Sequence, residues 1–160
     1  MSLRAVFSFP LTVNEKAART VAGVVALTAL VAIATGWQWL VVPLAYGFWA
    51  RVLTGPTLSP LARLATNVVA PRLGEPKYVP GPPKRFAQGM GAAMTTAALL
   101  AWIAGASTVV DILLALLAVA ATLESAFAFC LGCKIFSLLM RIGVVPQNVC
   151  ERCVADTRAA

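Results

Sequence analysis

The sequence predicts an all-α membrane protein with four transmembrane helices, arranged as two antiparallel hairpins. The first observation is composition: 60% of the residues are hydrophobic and only 12% are charged. A soluble chain of 160 residues could not bury that much apolar surface, because small domains leave much of their surface in contact with water. The second observation is the spacing of the apolar stretches, and the third is the placement of the basic residues.

Four apolar stretches approach the length that a spanning helix needs, which is roughly 20 residues. They cover residues 17–35, 37–53, 86–104 and 109–130. The links between the first and second stretches, and between the third and fourth, are very short, so each pair predicts an antiparallel hairpin. The second stretch contains Pro43, which a helix inside a membrane bundle tolerates when neighbours satisfy the freed carbonyl.

The chain therefore divides into five segments. A cytoplasmic N-terminal segment covers 1–16, the hairpins cover 17–53 and 86–130, a connection covers 54–85, and a cysteine-containing tail covers 131–160. Apolar residues recur at helical spacing between Leu58 and Val69, which predicts a short amphipathic helix. This helix fits the membrane interface and the side of the bundle equally well. Five prolines after it predict an extended linker.

All thirteen basic residues fall on one side of this arrangement. Three precede or begin the first span, six lie from Arg51 to Arg85, and four follow the fourth span, whereas the two outer loops have none. Lysine and arginine concentrate in cytoplasmic loops, so the pattern predicts a multi-pass protein of the inner (cytoplasmic) cell membrane with both termini in the cytoplasm. The lipid bilayer is thus the expected partner, and the net charge of +7 does not indicate nucleic acid binding.

Four cysteines occur in two pairs after the fourth span, as Cys130-Leu131-Gly132-Cys133 and Cys150-Glu151-Arg152-Cys153. This spacing is typical of zinc sites, and four thiolates also suit an iron–sulfur centre. A reducing cytoplasm disfavours a permanent disulfide, which leaves metal binding, thiol or sulfur chemistry, and simple packing as open interpretations. The chain contains no histidine, which excludes histidine-based sites.

The position of the first pair relative to a helix end decides its reactivity. If Cys130 and Cys133 close the fourth span, the negative end of that helix raises their pKa values. If Cys133 instead opens a following helix, the positive end lowers its pKa and favours the thiolate. Gly132 makes a helix break there plausible, and Lys134 favours the thiolate in both cases.

Two acids lie in the fourth span. Glu124 precedes Cys130 within the apolar stretch, where it is either a proton carrier for the cysteines or a glutamate that pairs or snorkels at the inner interface. Asp111 is near the outer interface and is interpreted as a solvated or capping residue. Arg51 and Arg85 end spans at the inner interface, where they serve first as orientation anchors and secondarily as anion contacts.

The run from Arg85 to Gln88 and the run from Phe127 to Cys133 resemble the RFAQ and FCLGC signature of an uncharacterised bacterial membrane family, domain of unknown function 4395. The similarity covers about residues 13–136. It implies a four-span architecture and a shared pair, Cys130 and Cys133, with no established activity. Glu124 and the second cysteine pair are not regular features of the family. The plan also resembles small four-helix proteins that exchange electrons between thiols and quinones, although their cysteines face the oxidising side.

The leading hypothesis is a membrane protein that handles reducing equivalents or sulfane sulfur at its cytosolic face. Cys130 and Cys133 form the working pair, Cys150 and Cys153 a resolving pair, and Glu124 moves the proton. The alternative is a non-enzymatic scaffold or complex subunit whose four cysteines bind zinc, and a third class is a small oligomeric transporter. The partner is a cytoplasmic thioredoxin-like protein, a sulfur carrier or a larger membrane complex.

Overall fold

Long helices dominate the chain in the computed structural model, which describes residues 9–146 and 149–150. In order, the elements are β1 (Thr12–Asn14), α1 (Glu15–Thr35), a 3-10 turn (Gln38–Leu40), α2 (Val41–Thr54), α3 (Pro60–Leu64), a π-helical turn (Ala65–Val69), α4 (Ala70–Arg72), β2 (Tyr78–Pro80), α5 (Gly81–Ile103), α6 (Ser107–Phe127) and α7 (Leu131–Arg141).

Three helices of the described chain are long and apolar enough to cross a membrane. They are α1, α5 and α6, with mean hydropathies of 2.0, 1.3 and 2.0. The predicted second span is not among them, so the expectation of four long spans is corrected to three. Residues 37–53 are apolar, but Gln38–Leu40 winds as a 3-10 turn and Gly55, at φ 63°, ends the helix. The 14 residues of α2 are about 21 Å long, short of a hydrocarbon core of about 30 Å.

The helices pack mainly across the two predicted hairpins. Helix α1 lies along α6 and α2 lies along α5, whereas the consecutive helices α1 and α2 touch little. Small residues permit these close approaches: Gly23 of α1 faces Ser125 of α6, and Gly91 of α5 faces the ring of Phe48 in α2. Close packing of small residues is what holds helices together in lipid, where no hydrophobic drive acts between them.

Helix ends follow local chemistry. Helix α1 begins after Asn14, whose side chain accepts a hydrogen bond from the Lys16 backbone N–H at 3.0 Å, and ends at Gly36 with φ 71°. Helix α5 begins at Gly81, five residues before the predicted start of the third span. Its first turn contains Pro82 and Pro83. Proline suits the first turn of a helix, because a backbone N–H there would have no partner within the helix.

The predicted amphipathic helix is present as α3, the π-helical turn and α4, over residues 60–72. Its buried residues are alanines, namely Ala62, Ala65 and Ala70, which join the core of the bundle. Leu58 and Leu64 are exposed. The segment therefore packs on the bundle through alanines and Leu61, whereas Leu64 and Val68 are exposed.

Strands β1 and β2 form a two-stranded antiparallel sheet that the sequence pattern did not predict. Val13 pairs with Val79 at its centre. The ladder is extended by the N–H of Glu15, which donates to the Lys77 carbonyl at 2.8 Å, and by the N–H of Gly81, which donates to the Leu11 carbonyl at 2.8 Å. The sheet therefore fixes the start of α1 beside the start of α5.

The contact between α5 and α2 predicts a difference between two glycines of α5. In Gly91→Ala the new Cβ overlaps the Phe48 ring, whereas nothing lies within 4 Å of a Cβ at Gly89. Gly91→Ala is expected to lower the free energy of unfolding by about 1–3 kcal/mol, the usual cost of overpacking. Gly89→Ala is the matched control and should leave the melting temperature in detergent unchanged or slightly raised. Equal melting temperatures for the two variants would contradict the packing.

Candidate functional site

The first cysteine pair lies where the chain turns from α6 into α7. Helix α6 ends at Phe127, and Ala128 reverses the chain with a positive φ of 56°. Cys130 is the N-cap residue of α7, and Cys133 lies in the first turn of that helix. The sequence left two arrangements open, with the pair at the end of the fourth span or at the start of a following helix. The structure has the second arrangement. The break lies at Ala128, not at Gly132.

The two sulfurs of this pair are close together. The Cys133 thiol donates to the Cys130 sulfur with an Sγ–Sγ distance of 2.7 Å, and both cysteines are free thiols. Cys130 is buried and Cys133 is partly buried. Since a disulfide bond is about 2.05 Å long, oxidation of the pair requires only a small movement of the side chains.

The two thiols differ in acidity. The hydrogen bond donated by Cys133 lowers the pKa of Cys130, although burial and the Glu124 carboxylate oppose this effect. Lys84 adds to the lowering of that pKa. The same hydrogen bond raises the pKa of Cys133, whose proton is held between the sulfurs, and burial raises it further. Cys130 is therefore the thiol that ionises first.

A buried ion pair lies next to the sulfurs. The Nζ atom of Lys84, in the first turn of α5, is 2.5 Å from Oε1 of Glu124 in the last turn of α6. Their side chains are only 9% and 15% exposed. The sequence pattern singles out Glu124 but not Lys84, which is one of six basic residues from Arg51 to Arg85. The signal for Lys84 was Glu124 itself, because an acid inside an apolar stretch requires a partner.

Lys134, the basic residue that the sequence placed beside the thiols, is exposed. Lys134 lines a cleft beside the cysteines. It does not contribute to the shifted pKa of Cys130 or of Cys133. Lys84, 46 positions before Cys130, takes this role, because α5 and α7 are in contact.

The two sequence motifs pack against each other. A Cβ at Gly132 would lie 2.6 Å from the Cα atom of Ala87, so α7 approaches α5 as closely as a glycine permits. The rings of Phe86 and Phe136 meet with their centroids 5.7 Å apart. The RFAQ and CLGC runs are thus two sides of one helix–helix contact.

An open cleft of about 710 Å³ gives access to the thiols. Its lining residues include Cys130, Cys133 and Lys84, together with Ser137 and Arg141 of α7. Ligand sites commonly have volumes of about 300–1,000 Å³, so the cleft can receive a small molecule or a protruding segment of a partner protein.

The remaining predicted site residues are the second cysteine pair and Asp111. Cys150 is buried in a small cluster with Phe136 and Met140, and Cys153 lies outside the described residues. Within the described chain, no three cysteine, aspartate or glutamate side chains are grouped closely enough to hold a metal ion. Asp111 accepts a hydrogen bond from the Gln38 side chain at 3.1 Å, in the first half of α6.

Comparison with protein families matches residues 13–141 to the family described as Domain of unknown function (DUF4395). Comparisons with curated proteins and with solved structures found no match. The family match covers most of the chain and includes both motifs that meet at the contact between α5 and α7. The protein is therefore a member of the DUF4395 family.

Proposed function

We propose that the protein carries out thiol–disulfide exchange at the cytosolic face of the inner membrane, with Cys130 and Cys133 as the reacting pair. The observation that carries this proposal is the placement of two free thiols with sulfurs 2.7 Å apart at the start of α7. A helix N-terminus beside a lysine favours a thiolate, which is the nucleophile in such exchange.

The proposed reaction begins with the Cys130 thiolate, which attacks one sulfur of a partner disulfide and expels the other partner sulfur as a thiolate. Cys133 then loses its proton and attacks the Cys130 sulfur, which closes an intramolecular disulfide and releases the second partner thiol. Two protein thiols are oxidised and one partner disulfide is reduced, so electrons balance. The reverse sequence returns the pair to thiols at the expense of another dithiol.

Lys84 and Glu124 have distinct proposed roles in this sequence. Lys84 favours the charged form of Cys130, as its effect on the pKa of that thiol indicates. Glu124 accepts the proton that Cys133 must lose before the disulfide closes. Both side chains contribute to the electrostatic environment of both sulfurs, which supports a shared proton and charge network.

The zinc scaffold has less support. A four-cysteine site needs Cys130, Cys133 and Cys150 together, and the part of the chain that is described does not gather them. Sulfane-sulfur transfer remains the close relative of the proposed reaction, because a persulfide on Cys130 would be resolved by the same neighbour, Cys133.

The proposed topology has both ends of the chain and the cysteine site in the cytoplasm. Strands β1 and β2 are hydrogen-bonded to each other, so they lie on one side of any bilayer. The chain between them must therefore cross an even number of times, and α1 needs a returning segment. We assign that return to the 3-10 turn and α2, which together span about 27 Å.

Trapping experiments separate the roles of the two thiols. The Cys133→Ser variant is made in a background that lacks Cys150 and Cys153 and is mixed with a single-cysteine thioredoxin whose cysteine is activated as a mixed disulfide with thionitrobenzoate. It is expected to accumulate a disulfide-linked adduct through Cys130, because thionitrobenzoate diffuses away and neither protein retains a resolving thiol. Cys130→Ser should form at least tenfold less, since the more acidic thiol is gone. Non-reducing electrophoresis measures the adduct, and the combined Cys150→Ser and Cys153→Ser variant serves as the control. Equal trapping by both variants, or one zinc ion per chain with protected thiols, would refute the exchange reaction.

The pH dependence of Cys130 alkylation tests the buried ion pair. Half-maximal rate is expected below the ordinary thiol pKa of about 8.5. Lys84→Met removes a cation that lowers the pKa of Cys130, so the midpoint should rise by about one pH unit. Glu124→Gln removes an anion that raises that pKa, so the midpoint should fall.

Lys134→Met is the matched control for this experiment, because Lys134 is exposed and does not shift the pKa of Cys130. Its midpoint should equal that of the unaltered protein. The assigned charge network would be wrong if Lys84→Met and Glu124→Gln moved the midpoint in the same direction.

Orientation is tested in intact cells with a maleimide that does not cross membranes. The four native cysteines should remain unlabelled, because the proposal places them in the cytoplasm. Ser107→Cys, at the exposed start of α6, introduces a thiol at the opposite end of the bundle and should label promptly. Prompt labelling of the unaltered protein would overturn the orientation.

A further inference from the structure

A second cavity, here called the inner chamber, shares Lys84 as a lining residue with the cleft that leads to the thiols. Its volume is about 530 Å³. Residues of α1, α2, α5, β1 and the segment between α2 and β2 form its walls, and its polar side chains include Arg51, Lys84, Gln88 and Asn14. No acidic side chain is among its described lining residues.

Arg51 is the central feature of the inner chamber. It is only 6% exposed although it carries a guanidinium group. Its Nε–H donates to Oε1 of Gln88 at 2.8 Å, and its Cζ atom lies 4.6 Å from the centroid of the Phe48 ring. The two terminal nitrogens have no hydrogen-bond acceptor among the described residues, and Arg51 reaches the walls of two further cavities besides the chamber.

The side-chain amides of Gln88 and Asn14 in the inner chamber also have unused hydrogen-bond donors. Gln88 uses its oxygen to accept from Arg51, and Asn14 uses its oxygen to accept from the Lys16 N–H. These bonds fix the amide orientations, so each side chain keeps an NH₂ group with no hydrogen-bond acceptor among the described residues. The unsatisfied groups at Arg51, Gln88 and Asn14 are therefore all donors.

The buried charges around the inner chamber are also unbalanced, with an excess of positive charge. Arg51 and Lys84 bring two buried positive charges. Among the described residues, the carboxylate of Glu124 is bonded to Lys84 and that of Glu15 to Lys77, so neither is bonded to Arg51. A buried charge without a compensating partner is strongly unfavourable, so the arrangement favours an additional anion. The π-helical turn contributes Thr66 to the chamber wall, and π-helical turns are frequent at binding sites.

We propose that the inner chamber is a binding site for a phosphate-type oxyanion, with Arg51 as its principal ligand and the NH₂ groups of Gln88 and Asn14 as further donors. Arginine presents paired N–H groups that match the oxygens of such an anion. Apolar side chains, including Ala18, Val21 and Ala70, form most of the wall, which suits an anion attached to an apolar body. The oxyanion is either a lipid headgroup or a free ion, and the site does not use the cysteines.

The test uses the full chain purified in detergent and two kinds of probe. Short-chain phosphatidic acid and phosphatidylcholine compare an anionic with a zwitterionic lipid, and inorganic phosphate is compared with chloride at equal ionic strength. Melting temperature and native mass spectrometry report binding. Phosphatidic acid alone raising the melting temperature identifies a lipid headgroup, and phosphate alone raising it identifies a free ion. If neither probe binds, the proposal is wrong.

Two variants locate the site. Gln88→Glu places a carboxylate where it still accepts from Arg51 Nε and supplies the missing negative charge, so the variant should fold and bind the probe at least tenfold more weakly. Arg51→Met should lose binding as well. Arg63→Met is the matched control, because Arg63 is exposed and lies outside the inner chamber. Unchanged binding in Gln88→Glu and Arg51→Met, or loss in Arg63→Met, would overturn the assignment.

Discussion

The ion pair between Lys84 and Glu124 is the constraint on which the cysteine-bearing end of the bundle depends. Neither charge can stay buried without the other, so the start of α5 must lie beside the end of α6. The carbonyl end of α6 is bound from another side by Arg19, which donates to the carbonyls of Ser125 and Ala126 at 2.9 and 3.0 Å. Three helices thus converge where the chain turns toward the thiols, and that turn places Cys130 at the start of α7.

Glycine between the two cysteines has a structural explanation that is independent of sulfur chemistry. Gly132 is the point at which α7 touches the backbone of α5 at Ala87, so its small size determines how close the cysteines come to Lys84. The residues before and after Ala87 contact different neighbours. Phe86 contacts the ring of Phe136, and Gln88 accepts a hydrogen bond from the guanidinium of Arg51. The motif on α5 therefore links the thiol site to the inner chamber through consecutive residues.

Hydropathy predicted the helices whose apolar character can be recognised from a single stretch of sequence. The apolar runs of α1, α5 and α6 could be recognised from composition, and Glu124 stood out because a charge there is costly. The short length of α2 and the early start of α5 depended on turn geometry at Gln38–Leu40 and at Pro82, which a hydropathy pattern does not contain. Lys84 could not be singled out among thirteen basic residues, because its role arises from a contact with Glu124, 40 positions later.

The small sheet formed by β1 and β2 has a consequence for biosynthesis. The N–H of Glu15 needs the carbonyl of Lys77 as its acceptor, so the start of the first helix can be fixed only after Lys77 has been added to the chain. During translation, more than sixty further residues must be added after Glu15 before this hydrogen bond can form. Contacts between residues so far apart in sequence form slowly. A chain that stopped before Tyr78 would have α1 without the strand that pairs with β1 and fixes the start of that helix.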